Sequence, residues 1–264
     1  MNNKWYQLLK GIDYYLFSKH GRGYGIHSPF IYDFIRNVLL EACSYDKCSP
    51  VKKEFKAFAS KIEYLVSNHN IGAGSNSIAN NNSFKRLAKT SGLPKKYLSL
   101  LCRIIDYYQF SNLLELGTCC GLTSATLASS RPDIHVTTVE GNEDRFNLAK
   151  QFFQHLELKN VTSYHNQFNS QLRELKTKDI FYDLIFIDGD HTYDATVKNY
   201  DEALLLLKPN GIIVLDDIYW SKGMTEAWEY VKSSNSAVVT IDLYRLGIVF
   251  LDRKQAKQHF TIRY

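Results

Sequence analysis

Residues 112–128 read NLLELGTCCGLTSATLA. A short apolar run (Leu113, Leu114, Leu116) gives way to glycines at 117 and 121, and a stretch of small and apolar residues follows. That order predicts a buried strand, a tight loop and a helix. A strand delivered into a glycine loop and a helix is the first unit of a parallel α/β sheet. The units that follow repeat it. Strands are expected at 112–117, 134–141, 161–167, 182–189 and 211–217, with helices at 121–130, 142–157, 169–176 and 191–207. The final pair, AVVTIDLYR and LGIVFLDR, lies too close together for a crossover helix and predicts an antiparallel hairpin. The expected fold class is therefore α/β: a doubly wound, mostly parallel, seven-stranded sheet.

The chain before this sheet has a different texture. WYQLLKGIDYYLFSKH, HSPFIYDFIRNVLLEA and SPVKKEFKAFASKIEYLV each place apolar residues at helical spacing. Ser28 is a good N-cap and Pro29 suits the first helical position. Residues 67–83 are rich in Asn, Ser and Gly and read as a linker. Two further helices are expected after it, the second beginning at Pro94. The expected division is an N-terminal helical extension with linker, 1–82, and a catalytic domain, 83–264. The aromatic load of the extension, including Trp5, Tyr6, Tyr14, Tyr15 and Phe17, calls for a partner surface, either as a cap over the strand ends or as a homodimer contact.

Composition narrows the class. The 264 residues are 45% hydrophobic and 22% charged, ordinary for a globular protein. No apolar run is long enough for a membrane span and the start lacks a secretory signal. The five cysteines, Cys43, Cys48, Cys102, Cys119 and Cys120, lack paired spacing, which argues against disulfides or zinc and points to the cytoplasm. The net charge of +5 is uneven. Residues 1–111 carry 16 Lys and Arg against 7 Asp and Glu, and residues 112–264 carry 16 against 20. The basic front suits solvated helix faces, an acidic substrate, a nucleic acid or the acidic second part.

Two features carry chemistry. In the loop after the first strand, Cys119 stands where a dinucleotide fingerprint needs its second glycine, so no pyrophosphate cradle forms. The second strand ends in Glu140, placed to accept hydrogen bonds from ribose hydroxyls. The other feature is YDLIFIDGDHTYDA, residues 182–195, where a buried strand ends in Asp188, Asp190 and His191. Its neighbour ends in Asp216 and Asp217. Carboxylates converging at adjacent strand ends repel unless protonated or bound to a cation, and hard oxygen ligands favour Mg²⁺ or another hard divalent ion. The plainer reading is that Asp-Gly is turn chemistry and that Asp190 caps the next helix.

ELGTCCG and VEG together resemble the class I S-adenosylmethionine-dependent methyltransferases, with a Rossmann-like sheet. FIDGDHTY followed by LKPNGIIVLDDIYW is similar to the metal-dependent small-molecule O-methyltransferases, closest to those acting on antibiotic sugars. The resemblance implies that Glu115, Gly117, Thr118, Gly121 and Asp188 shape the cofactor pocket, that Glu140 holds the ribose and that Gln167 meets the adenine. It implies Asp188, Asp216 and Asp217 as metal ligands and Asp190 or His191 as general base. The expected reaction is methyl transfer from S-adenosylmethionine to a hydroxyl of a small acceptor. The basic front keeps a nucleic-acid methyltransferase as the alternative, although the Asn/Asp-Pro-Pro-aromatic signature of base amino-methylators is missing after the fourth strand.

Overall fold

The computed structural model describes residues 3–41, 48–68 and 92–264, with side chains omitted for 62–68. Most of the expected linker and the helix expected before Pro94 lie outside these residues, as does Cys43. Among the described residues the sheet has eight strands in the order β3-β2-β1-β4-β5-β7-β6-β8. They are β1 (Asn112–Leu116), β2 (His135–Glu140), β3 (Val161–His165), β4 (Tyr182–Ile187), β5 (Leu207–Leu215), β6 (Val239–Asp242), β7 (Gly247–Phe250) and β8 (Gln258–Thr261). The first five are parallel, and β7 runs antiparallel to β5 and to β6. The eighth strand, one more than expected, adds parallel to β6. Its sequence, QHFT, is short and half polar, so no apolar alternation marked it.

The helices are α1 (Asn3–Phe17), α2 (Pro29–Phe34, continued by a π-helical turn at Ile35–Leu39), α3 (Cys48–Asn68), α4 (Lys95–Tyr108), α5 (Leu122–Ser130), α6 (Glu143–His155), α7 (Phe168–Thr177), α8 (Tyr193–Leu204) and α9 (Lys222–Ser233). Ser28 caps α2 as expected, accepting from the Ile31 N–H.

Strand alternation sorts the core into two layers. Leu113, Leu184, Phe186, Ile212 and Val214 pack on one face with Phe34, Ile35 and Val38 of the α2 segment and Leu101, Ile104 and Ile105 of α4. Leu114, Leu116, Ile185, Ile187, Ile213 and Leu215 pack on the other with Leu172, Tyr200, Ala203 and Trp228. A smaller cluster joins Val51, Phe55 and Phe58 of α3 to Phe152 and Phe153 of α6. The N-terminal helices thus enter the same core as the sheet.

α1 is attached differently. It has no buried residue and is held by polar contacts. The Tyr6 hydroxyl donates to Thr225 Oγ1 at 2.7 Å, and the Gln7 amide donates to the Trp220 carbonyl at 2.9 Å. The Tyr244 hydroxyl donates to the Gln7 carbonyl at 2.7 Å, and the Tyr14 hydroxyl donates to the Ile262 carbonyl at 2.5 Å. A parallel bridge between Lys19 and Ile262 fastens the end of α1 to the segment after β8.

Candidate functional site

The carboxyl ends of β1 to β5 open on one cleft of about 530 Å³. Strand order reverses between β1 and β4, which is where open α/β sheets bind ligands. The lining includes Gly117, Cys119, Glu140, Gln167, Asp188, Asp190, His191 and Asp217, with Arg145 and Arg245 beside them.

On one side lies the glycine loop. Gly117 has φ +112°, and a Cβ there would stand 1.8 Å from the Asp188 carbonyl oxygen, so only glycine fits between β1 and β4. Gly121 (φ +81°) faces away from the cleft; a Cβ would strike Phe153 at 2.7 Å, so it serves the packing of α5 on α6. The Glu140 carboxylate fixes the loop: Oε2 accepts the Cys119 N–H at 2.8 Å and Oε1 the Asn142 N–H at 2.9 Å. The Cys119 and Cys120 sulfurs lie 3.9 Å apart, and contact with Cys120 followed by burial raises the Cys119 pKa, which does not favour a nucleophilic thiolate.

Besides Gly121, two residues expected at this cofactor loop are absent from the cleft lining. Glu115 is buried beneath it, where Thr138 Oγ1 donates to its Oε2 at 2.7 Å and the Ser124 hydroxyl also donates. Burial pushes its carboxyl up to about 7, against the lowering effect of those hydroxyls. Thr118 is also buried, its hydroxyl 2.6 Å from that of Thr138. Both shape the floor rather than the wall.

Across the cleft lies the acid cluster. Register pairs Ile187 with Leu215, so Asp188 and Asp216, one residue on, arrive side by side. Asp216 is buried, and Arg245 from the β6–β7 turn grips it with both arms: Nε to Oδ1 at 2.8 Å and a terminal nitrogen to Oδ2 at 2.7 Å. Arg245 Nε is also 3.6 Å from Asp217 Oδ1. His191 Nε2 sits 3.7 Å from Asp188 Oδ1 and 3.9 Å from Asp217 Oδ2. Burial, then the neighbouring carboxylates Asp216, Glu115 and Asp217, raises the Asp188 carboxyl well above its ordinary range. Burial and Asp216 raise Asp217, with Arg245 and His191 opposing. Burial would lower the guanidinium of Arg245, but its bonds to Asp216 and the charges of Asp217 and Asp188 outweigh it and raise its pKa.

This arrangement bears on the expected metal ligands. Asp188, Asp216 and Asp217 were expected to share a divalent ion. Both Asp216 oxygens are instead committed to a guanidinium, and the remaining pair faces an imidazole. The repulsion that called for a cation is met by one the chain supplies itself. Among the described residues no group of three or more His, Cys, Asp or Glu is arranged to hold a metal ion. The residues present do not fit the expected three-carboxylate site.

Asp190 is exposed on the cleft rim at φ +53°, and Thr192, with no side-chain cap, precedes α8, so Asp190 does not cap that helix. The Trp220 ring stands 6.3 Å from that of His191. Arg245 was missed by sequence reasoning. It lies 29 residues beyond Asp216, inside an apolar hairpin, and its one signal was a charged residue at the tight turn DLYRLG.

The fold is that of the class I S-adenosylmethionine-dependent methyltransferases, and residues 114–218 match the family model described as a methyltransferase domain. Solved structures of similar fold include a protein described as a caffeoyl-CoA O-methyltransferase from Staphylococcus aureus (24% identity, TM-score 0.58, 73% of this chain and 99% of that one). Another is an O-methyltransferase from Bacillus cereus in complex with S-adenosylhomocysteine (18%, 0.55, 74% and 99%). A third is the O-methyltransferase TomG from Streptomyces achromogenes, involved in tomaymycin synthesis (15%, 0.56, 81% and 92%). A ribosomal RNA small subunit methyltransferase G from Lachnoclostridium phytofermentans is 29% identical over 92 residues; the match spans 34% of this chain and 38% of that protein.

Proposed function

We propose that the protein transfers a methyl group from S-adenosylmethionine to a hydroxyl of a small acceptor, with His191 as general base and without a catalytic metal. The observation that carries this reading is the His191 imidazole held between Asp188 and Asp217, across the cleft from Glu140. Glu140 and Gln167 would hold the ribose and adenine, and Gly117 lets backbone approach the ligand. The cofactor supplies a methyl on a sulfonium, so the chain's task is alignment and proton removal. With Nε2 turned to the two carboxylates, the other ring nitrogen of His191, Nδ1, takes the acceptor's hydroxyl proton as the oxygen bonds to the methyl carbon, and the carbon–sulfur electrons return to sulfur. Asp188 and Asp217 orient the ring and stabilise the imidazolium. Arg245 balances the carboxylates, the part first given to a divalent ion. Asp190, at the rim, contacts the acceptor rather than moving its proton.

In this reading residues 83–264 form the catalytic domain and 1–82 a helical cap, with α1 bracing the rim at Trp220. A ribosomal RNA acceptor is the second reading, favoured by the partial match to the methyltransferase G protein and by the basic front.

The test is a methyl-transfer screen over hydroxylated metabolites, sugars and a short RNA. His191→Asn is expected to slow transfer by about 10²–10⁴-fold, and Asp190→Asn by far less. Excess EDTA should leave the wild-type rate unchanged. A rate abolished by EDTA and restored by Mg²⁺ overturns the metal-free assignment. A rate indifferent to His191→Asn overturns the base.

A further inference from the structure

α1 lies on the protein the wrong way round for a surface helix. At 100° per residue, Trp5, Leu8, Leu9, Ile12, Tyr15 and Leu16 fall on one stripe about 120° wide. Surface helices turn such a stripe to the core. Here it faces out: Trp5 is 64% exposed, Leu8 54%, Leu9 50%, Ile12 47%, Tyr15 63% and Leu16 65%. The opposite side, Tyr6, Gln7, Gly11 and Tyr14, docks on the protein. The tyrosine hydroxyls and the glutamine amide tie that side down with directed bonds, so the outward aim of the stripe is fixed.

We propose that this face is a self-complementary interface in which α1 of one copy packs against α1 of a second, forming a homodimer. Three observations select a second copy. The positions 5, 8, 9, 12, 15 and 16 follow the spacing of helix–helix seams, with apolar residues three and four apart and no charged residue of the helix inside, Arg263 stacking on Tyr15 at one end. A helix meeting its own copy about a twofold axis presents the same stripe on both sides. The area is also sufficient. Full burial removes roughly 100 Å² from water for a leucine and about 200 Å² for an aromatic. At the exposures above, the stripe contributes on the order of 500 Å² per copy, or about 1,000 Å² in all, the lower bound for a specific interface. A lipid surface fits less well. Interfacial helices carry a face rich in Lys and Arg, whereas α1 holds two lysines and an exposed aspartate, Asp13.

The test is sedimentation velocity of the full chain over a range of concentrations, with Leu9→Lys, Ile12→Lys and Ile12→Leu alongside. Leu9 and Ile12 point outward, so the lysine variants should keep the wild-type circular dichroism and melting temperature. A dimer that dissociates on dilution in wild type and Ile12→Leu, and is absent in both lysine variants, is the expected result. A wild-type monomer at every concentration overturns the proposal, as does a dimer that survives Leu9→Lys and Ile12→Lys. Flotation with phosphatidylglycerol vesicles that the lysine variants lose would assign the stripe to lipid and also overturn it.

Discussion

Glu140 does two jobs with one carboxylate. Each oxygen accepts a backbone N–H, from Cys119 and Asn142, while the group lines the cleft. Removing it unties the loop and, under the proposed assignment, takes a charged acceptor from the ribose. Hydrogen bonds to charged groups are worth about 1.5–3 kcal/mol, so Glu140→Ala should weaken S-adenosylhomocysteine binding roughly ten- to a hundredfold by calorimetry. An unchanged dissociation constant in a folded variant removes the assignment. Glu115 makes a different prediction. Its folded pKa, about 7 against an ordinary 4.5, is raised, so the folded state holds its proton more tightly. The stabilisation is complete below about pH 4.5 and is lost as pH rises through about 7, amounting to about 3 kcal/mol. The melting temperature of Glu115→Gln should therefore fall less between pH 5 and 8 than that of the wild type. Equal slopes would mean that Glu115 ionises freely in the fold. Sequence reading placed these acids at strand ends but not beside the partners the structure gives them, Ser124 and Thr138 for Glu115 and Arg245 for Asp216. Adjacency follows from strand order, whereas which of several acids a distant arginine grips depends on a turn 29 residues away.

The elements were legible where their periodicity was clean. β1, β4 and β5 are apolar runs ending in Gly or Asp, and each ends within about two residues of expectation. β8 was invisible because an edge strand of four half-polar residues carries no pattern. The π-helical turn after α2 was likewise unmarked. α3 was read as a helix, but its target was not: Phe55 and Phe58 meet Phe152 of α6 with ring centroids 5.0 and 5.3 Å apart. That contact is a measurable strut. Phe152→Ala should cost about 3–5 kcal/mol, the range for deleting a buried aromatic. Chemical denaturation checks it, and a loss below 1 kcal/mol would show that α3 contributes little to the fold.

At the scale of the whole molecule, the α2 segment and the sheet share one core. Ile31, Phe34, Ile35 and Val38 are fully buried in the layer that also holds Phe250 and Ile248. A fragment of residues 83–264 should bare that face and aggregate. If it stays soluble, folded and fully active, the cap reading is wrong. The sequence showed the aromatic excess of the N-terminal part but not its direction. Helical spacing is the same whether a stripe faces core or solvent, and only the polar contacts of Tyr6, Gln7 and Tyr14 decide which.

Those contacts also set an order of assembly. α1 precedes each of its anchors, Trp220, Thr225, Tyr244 and Ile262, by more than 200 residues in the chain. At about 5–20 residues per second, the ribosome needs on the order of ten to fifty seconds to deliver the last of them. Throughout that interval the segment lacks the partners that fix its outward aim. The Lys19–Ile262 bridge is thus among the last contacts the chain can make.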